Sequence, residues 1–285
     1  MSKISALSHK FGDFLYRNVP NFFTLMNLFF GATAIVLSFE GRNNLILASY
    51  FIYFAGVFDF FDGFSARALK ASSLMGKELD SLADMVSFGL APSMILYQLL
   101  KQSLQIKQFS FSLPVTDIAI VLSAFLIALF SAVRLAKFNI DENQKESFIG
   151  LATPASAMLI AAIPLIANFN PSDLVLFPGF SKNTFFFLSV MFFGIYIVKP
   201  VVLLPLIGTV SVLLVAKLPM FSLKFKNYKF EDNKLKYIFL IFSVISFAVF
   251  QILSVPIIFL LYISFSIFNN VFNKDEQIEK IEMTA

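Results

Sequence analysis

Long apolar stretches, each about 17 to 25 residues and nearly free of charge, recur along this chain. That is the length an α-helix needs to cross roughly 30 Å of hydrocarbon, where backbone polar groups must be satisfied within the segment itself. Only 14% of the 285 residues are charged and mean hydropathy is +0.80, whereas a soluble domain carries about a quarter charged residues. A water-soluble globule is excluded. The fold class is all-α, a polytopic integral membrane helical bundle.

Crossings are expected at 20–39, 44–67, 78–100, 116–137, 153–169, once within 184–217, then at 236–251 and 254–271. The stretch 184–217 is long for one span and Lys199-Pro200 interrupts it, so 184–198 is expected to be interfacial, re-entrant, or part of one long tilted helix. Short cytoplasmic connections attract Lys and Arg. With the N-terminus inside, 17 of the 22 basic residues fall inside, leaving Arg42, Lys101, Lys107, Lys182 and Lys199 outside. That count favours about eight transmembrane helices with both termini cytoplasmic. The expected organisation is a cytoplasmic segment 1–19, a membrane domain 20–217, a basic cytoplasmic loop 218–235, a transmembrane hairpin 236–271 and a cytoplasmic tail 272–285. Residues 1–20 have no small-residue cleavage site after a short apolar core, and read as a retained segment rather than a signal peptide.

The available chemistry is narrow. Cys is absent and His9 is the single histidine, in the polar N-terminal stretch, which removes thiolate sites, cysteine nucleophiles, histidine-ligated metals and histidine triads. Carboxylates, hydroxyls, amides, Arg and Lys remain. Most of the 39 Phe residues read as lipid-facing or inter-helix filler. The net charge of +4 is spread over the loops, so it fits anionic lipid head groups and membrane orientation, and no nucleic-acid partner is expected.

Asp59, Asp62, Gly63, Ala66 and Arg67 lie near the cytoplasmic end of the second apolar stretch, followed by Gly76, Asp80, Asp84 and Ser87 on the next. Asp59 and Asp62 are i, i+3 and share a helix face; Gly76, Asp80, Asp84 and Ser87 form a second polar stripe. A hairpin of these helices brings four carboxylates together at the membrane boundary. Each Asp costs up to roughly 2.5 to 3.5 kcal/mol at a helix centre on insertion scales, and the carboxylates repel one another. Divalent cations remove both penalties, and an all-oxygen ligand set selects hard ions, Mg²⁺ or Mn²⁺ first, with Ca²⁺ as a substitute. Gly63 and Gly76 clear space for a phosphate ester, and Arg67 offers a planar cation suited to phosphate. Any one of these acids reads equally well as a helix-end cap; four in this register with two Gly, an Ala and an Arg do not.

The run Asp59, Asp62, Gly63, Ala66, Arg67, Gly76, Asp80, Asp84 matches every position of D-x-x-D-G-x-x-A-R-x8-G-x3-D-x3-D, and so resembles the signature of the CDP-alcohol phosphatidyltransferases. Three further stretches resemble the membrane-embedded phosphatidylserine synthases within that family. They are Pro20 to Asn27, Ser87 to Pro92, and Arg134 to Asn139 with Phe148 to Pro154. The likeness covers about 18–230 and leaves out the last hairpin. It implies transfer of a phosphatidyl group from CDP-diacylglycerol to the hydroxyl of L-serine with release of CMP, in a bacterial-type cytoplasmic (inner) membrane, with the active site on the cytoplasmic side and a homodimeric assembly. It further implies that Asp59, Asp62, Asp80 and Asp84 hold two divalent cations, Mg²⁺ or Mn²⁺, bridging the CDP pyrophosphate. Asp84 is also the implied general base, and Gly63, Ala66, Arg67 and Gly76 accommodate the nucleotide. Metal polarisation of phosphoryl oxygens and proton acceptance by a carboxylate are chemically consistent with this.

Thr24, Asn27 and Gly31 form an i, i+3, i+7 seam that either contacts the cytidine of the CDP-lipid or joins helices through hydrogen bonding and close packing. Arg134 and Lys137 either snorkel to the interface or, with the family resemblance, bind the acceptor. On the second reading Arg134 clamps the serine carboxylate, with Lys137 or Asn139 and Ser87 shaping the rest of the pocket. Lys77 and Glu78 read as solvated loop residues. Two competing functions carry different marks. Another acceptor, glycerol 3-phosphate or inositol phosphate, needs additional cationic ligands; an ion or proton transporter places its acids near midplane and leaves the register of Gly63, Arg67 and Gly76 unexplained.

Overall fold

The computed structural model describes residues 3–140, 148–170, 184–220, 229–230 and 233–284. Lys145, Lys182 and the basic stretch from Ser222 to Lys226, on which part of the topology reading rests, lie outside the described residues. Helix makes up 85% of the structure. Among the described residues, five helical stretches are long and apolar enough to cross a membrane, Asn18–Phe39, Asn43–Ala68, Leu74–Ser103, Val115–Ile140 and Lys234–Asn270, and a bent pair can add a sixth. The protein is a helical membrane protein. The chain divides into two compact units, Met1–Leu135 and Ala136–Ala285.

The first unit begins with α1 (Lys3–Phe39) and α2 (Arg42–Ala68). The turn between them passes through Gly41 at φ 99, a left-handed conformation that favours glycine. Phenylalanines from both helices interdigitate: Phe30 stacks on Phe58 with centroids 5.1 Å apart, and Phe23 meets Phe61 at 5.8 Å. The order is antiparallel. Other phenylalanines, including Phe22, Phe29, Phe60 and Phe64, are exposed, the orientation expected of side chains that face lipid.

A five-residue connection then leads to α3 (Leu74–Asp84), whose start is capped by the Ser73 hydroxyl accepting from the Gly76 N–H at 2.9 Å. The continuous helix expected over 78–100 is interrupted. Met85–Leu90 is a π-helical turn, and α4 (Ala91–Ser103) resumes after it. The i+4, i+4, i+3 stripe therefore holds from Gly76 to Asp84, while Ser87 is set by the wider turn. The crossing expected at 116–137 is likewise composite, α5 (Val115–Leu122), a 3₁₀ turn at Ser123–Phe125 and α6 (Leu126–Ile140).

In the second unit, α7 (Thr153–Ala167) is the buried centre; at 15 residues it is about 22 Å long. The bent pair is α8 (Thr184–Ile197) and α9 (Pro200–Val215), where Leu188–Ile197 and Pro200–Val215 meet at 67°. Pro200 lacks an N–H and biases the preceding residue away from helical dihedrals, and Lys199 is indeed extended at ψ 147. The bend overturns one of the three expected forms of this stretch, the single long tilted helix. Strands β1 (Phe148–Ile149) and β2 (Pro219–Met220) pair antiparallel. Gly150 follows at φ 78, and a Cβ there would meet the Leu214 carbonyl oxygen at 2.7 Å. The apolar stretch Lys234–Asn270 folds back on itself: α10 (Lys234–Phe250) and α11 (Ser254–Thr284) are joined by a 3₁₀ turn at Gln251–Leu253. Phe239 lies 6.2 Å from Tyr262, whereas one straight helix would separate them by about 35 Å.

Candidate active site

All four signature carboxylates lie in the first unit. Asp59, Asp62 and Asp80 each offer an oxygen within 4.8 Å of the other two. Asp84 sits beside them, buried at 9% exposure, with its carboxyl against that of Asp59. At 4.8 Å and an effective dielectric near 20, each pair of like charges repels by about 3 to 4 kcal/mol. The Thr24 hydroxyl donates to Asp62 Oδ2 at 2.8 Å, but a hydrogen bond to a charged group contributes only about 1.5 to 3 kcal/mol. Neutral donors therefore cannot offset the cluster by themselves. Asp80 Oδ1 is buried with no hydrogen-bond partner, an acceptor available to a cation. Hard oxygen donors at this spacing fit a divalent ion of the Mg²⁺ or Mn²⁺ type.

Two of the carboxylates, Asp62 and Asp80, border a cavity of about 200 Å³ lined also by Gly63, Ala66, Gly76 and the start of α3. Gly63 and Ala66 keep the α2 wall low, and Arg67 stands over Gly63, its Nη1 3.4 Å from where a Cβ would be. At Gly76 a Cβ would approach Asn21 Oδ1 and Ser73 Oγ, each at 3.1 Å. A helix N-terminus favours anions. The cavity thus joins a carboxylate cluster that could hold a cation to a helix start, with Arg67 beside its Gly63 wall.

A family model for CDP-alcohol phosphatidyltransferases matches residues 17–216. The chain belongs to the CDP-alcohol phosphatidyltransferase family. It is 35% identical over 151 residues to the CDP-diacylglycerol–serine O-phosphatidyltransferase of Bacillus subtilis, covering 53% of this chain and 77% of that protein. It is 35% identical over 151 residues to the Helicobacter pylori (strain J99) protein of the same name, covering 52% of this chain and 58% of that one. With the Saccharomyces cerevisiae protein of that name it shares 32% identity over 174 residues, 56% of this chain and 58% of the relative. The chain thus spans little more than half the length of the latter two.

Within this phosphatidyltransferase, the structure brings Thr24 and Asn27 to the carboxylates: Asn27 Nδ2 donates to Asp84 Oδ1 at 3.2 Å. Ser87 is fully buried, and its hydroxyl donates to the Asn27 main-chain carbonyl at 2.9 Å. Arg134 is buried, unlike a side chain that snorkels to solvent. One turn before it, Ser131 Cβ lies 3.2 Å from a Cβ placed on Gly89. Lys137 is exposed and Asn139 half-buried in the last turn of α6. Sequence reasoning missed Asn21, Ser73 and Lys77 as cavity-lining residues. Only the N-cap signature of Ser73 before an apolar run was available as a signal; Lys77 reaches the cavity because it opens the helix that walls it.

Proposed function

We propose that the protein transfers a phosphatidyl group from CDP-diacylglycerol to L-serine. The observation that carries this reading is the cluster of Asp59, Asp62 and Asp80 at the edge of the glycine-walled cavity, in a family member whose relatives bear the name of that reaction. The serine hydroxyl oxygen attacks the phosphorus of the phosphatidyl group. Its bond to the CMP phosphate oxygen breaks, the electron pair leaves with CMP, and the serine proton passes to Asp84. Asp59, Asp62, Asp80 and Asp84 would hold two divalent cations, Mg²⁺ or Mn²⁺. Bound there, the cations polarise the phosphoryl oxygens and neutralise the leaving group. Gly63, Ala66 and Gly76 leave room for the pyrophosphate, Arg67 and the start of α3 attract its charge, and Asp84 receives a proton. Purified protein supplied with CDP-diacylglycerol and labelled alcohols should release CMP fastest with serine. Faster release with glycerol 3-phosphate or inositol phosphate would reassign the acceptor.

Arg134 is the proposed clamp for the serine carboxylate, supported by its burial. Ser87, Lys137 and Asn139 enter as pocket residues through the family motif alone. Arg134→Ala should raise the serine KM about tenfold or more, because a charged bidentate contact is lost. The KM for CDP-diacylglycerol should stay within about threefold. An unchanged serine KM would return Arg134 to a packing role.

The proposal includes eight crossings with both termini cytoplasmic, in a bacterial-type cytoplasmic membrane with the site on its inner side, a transferase domain over 20–217 and a homodimer. The 17 to 5 distribution of basic residues supports the orientation, and the family match over 17–216 supports the domain limits. In this Cys-free chain, Lys226→Cys should react with an impermeant reagent only from the cytoplasmic side and Lys107→Cys only from the other. Outside labelling at position 226 would mean that 184–217 crosses twice.

A further inference from the structure

The first helix contributes no acid to the cluster, yet it touches one carboxylate from each acidic helix. Thr24 Oγ1 has a single proton and lies 2.8 Å from Asp62 Oδ2 and 3.1 Å from the Pro20 carbonyl; the closer, charged partner takes it. One turn on, Asn27 Nδ2 donates to Asp84 Oδ1 at 3.2 Å. Asn27 is fully buried and its Oδ1 has no hydrogen-bond partner. An amide serving only to join helices would satisfy both ends, so the bond to Asp84 accounts for its placement. The same residue is gripped from the main chain by the Ser87 hydroxyl at 2.9 Å. Gly31 makes that grip possible, since a Cβ there would sit 2.6 Å from Ser87 Cα.

We infer that α1 is the positioning element of the carboxylate cluster: Thr24 and Asn27 each engage one oxygen, of Asp62 and Asp84, and hold the other for the cation. This rests on the reading of the cluster as a cation site. Neutral donors suit the task. A lysine or arginine would hold a carboxylate as firmly but would add positive charge and compete with the ion, whereas a hydroxyl and an amide orient without neutralising. The π-helical turn immediately after Asp84 is what brings Ser87 against Asn27, so the helix is registered on both sides of the acid it orients.

The test is Mn²⁺ titration of the full chain in detergent, followed by electron paramagnetic resonance, which requires no lipid substrate. Asn27→Leu should weaken Mn²⁺ binding about tenfold or more, the range seen when partners of metal ligands are removed. Asn27→Ser, which keeps a short donor, should lose less. In an Asp84→Asn background the Leu substitution should have no further effect, because its action runs through Asp84. Unchanged affinity in Asn27→Leu, additive loss in the double variant, or no Mn²⁺ binding by the wild type would overturn the inference. If Asn27→Leu does not fold, Asn27→Ser decides alone: a loss supports the inference and unchanged affinity overturns it. CMP release by the wild type is read separately, so a protein that binds Mn²⁺ and obeys the cycle without releasing CMP sinks the proposed reaction and leaves the positioning role standing.

Discussion

Asp80→Asn should abolish CMP release while the protein still folds in detergent, and excess chelator should do the same to the wild type. Asp80 belongs to the trio whose oxygens lie within 4.8 Å of each other, and its Oδ1 is buried without a partner. An amide of the same shape removes the charge that attracts a cation, so losses should exceed about 10³-fold if the cation supplies several kcal/mol to the displacement. Stability should move the other way. Without metal, the substitution relieves repulsion of about 3 to 4 kcal/mol for each neighbouring carboxylate, so the metal-free variant should melt no lower than the metal-free wild type. Circular dichroism and size exclusion check the fold, and CMP release checks the activity. Full activity in chelator would falsify the metal reading outright.

The second large effect belongs to Asp84. Its substitution by Asn should lower turnover by about 10² to 10⁴, the usual contribution of a general base, with a smaller change in affinity for CDP-diacylglycerol. Asp84 stands apart from the other three acids in a way that fits such a role. It is buried, it holds an amide donor on Oδ1, and its carboxyl adjoins that of Asp59 at the side of the trio. A base must present a fixed lone pair to the incoming hydroxyl, and the Asn27 bond fixes the plane of the carboxylate. Equilibrium binding of CDP-diacylglycerol measured beside single-turnover CMP release separates the roles. Equal losses in both would make Asp84 chiefly a metal ligand.

Much of the site was legible because helix periodicity is local. Spacings of three and four residues put Asp59 with Asp62, and Asp80 with Asp84, on common faces, and hydrophobic length alone identified membrane helices. Gly63 and Gly76 could be read as cleared space because small residues beside clustered acids have few other uses, while Ala66 entered through the family motif. The seam of Thr24, Asn27 and Gly31 was visible too, but its meaning was not, since the same pattern serves a ligand contact or helix packing. Packing brings the seam to Asp62, Asp84 and Ser87, and Thr24 also lines the cavity. The interruption at Met85–Leu90 had no signal of its own, because a π-helical turn uses residues that an α-helix accepts equally well.

The sequence by itself determined the solvent of this protein, the helical class that solvent demands, the four acids with their intervals, and the family they belong to. The first three follow from composition or from spacing within a helix, where neighbours in space are neighbours in the chain; the family follows from the resemblance of the whole motif. Tertiary structure alone decided that three acids converge while Asp84 stands beside them. It also decided that α1 supplies hydrogen bonds to Asp62 and Asp84, that Arg134 is buried, and that the chain reverses at Gln251–Leu253. Those facts depend on which faces of different helices meet and at what height. Side chains tens of residues apart set that register, as Gly31 does by admitting Ser87, and no local pattern encodes it.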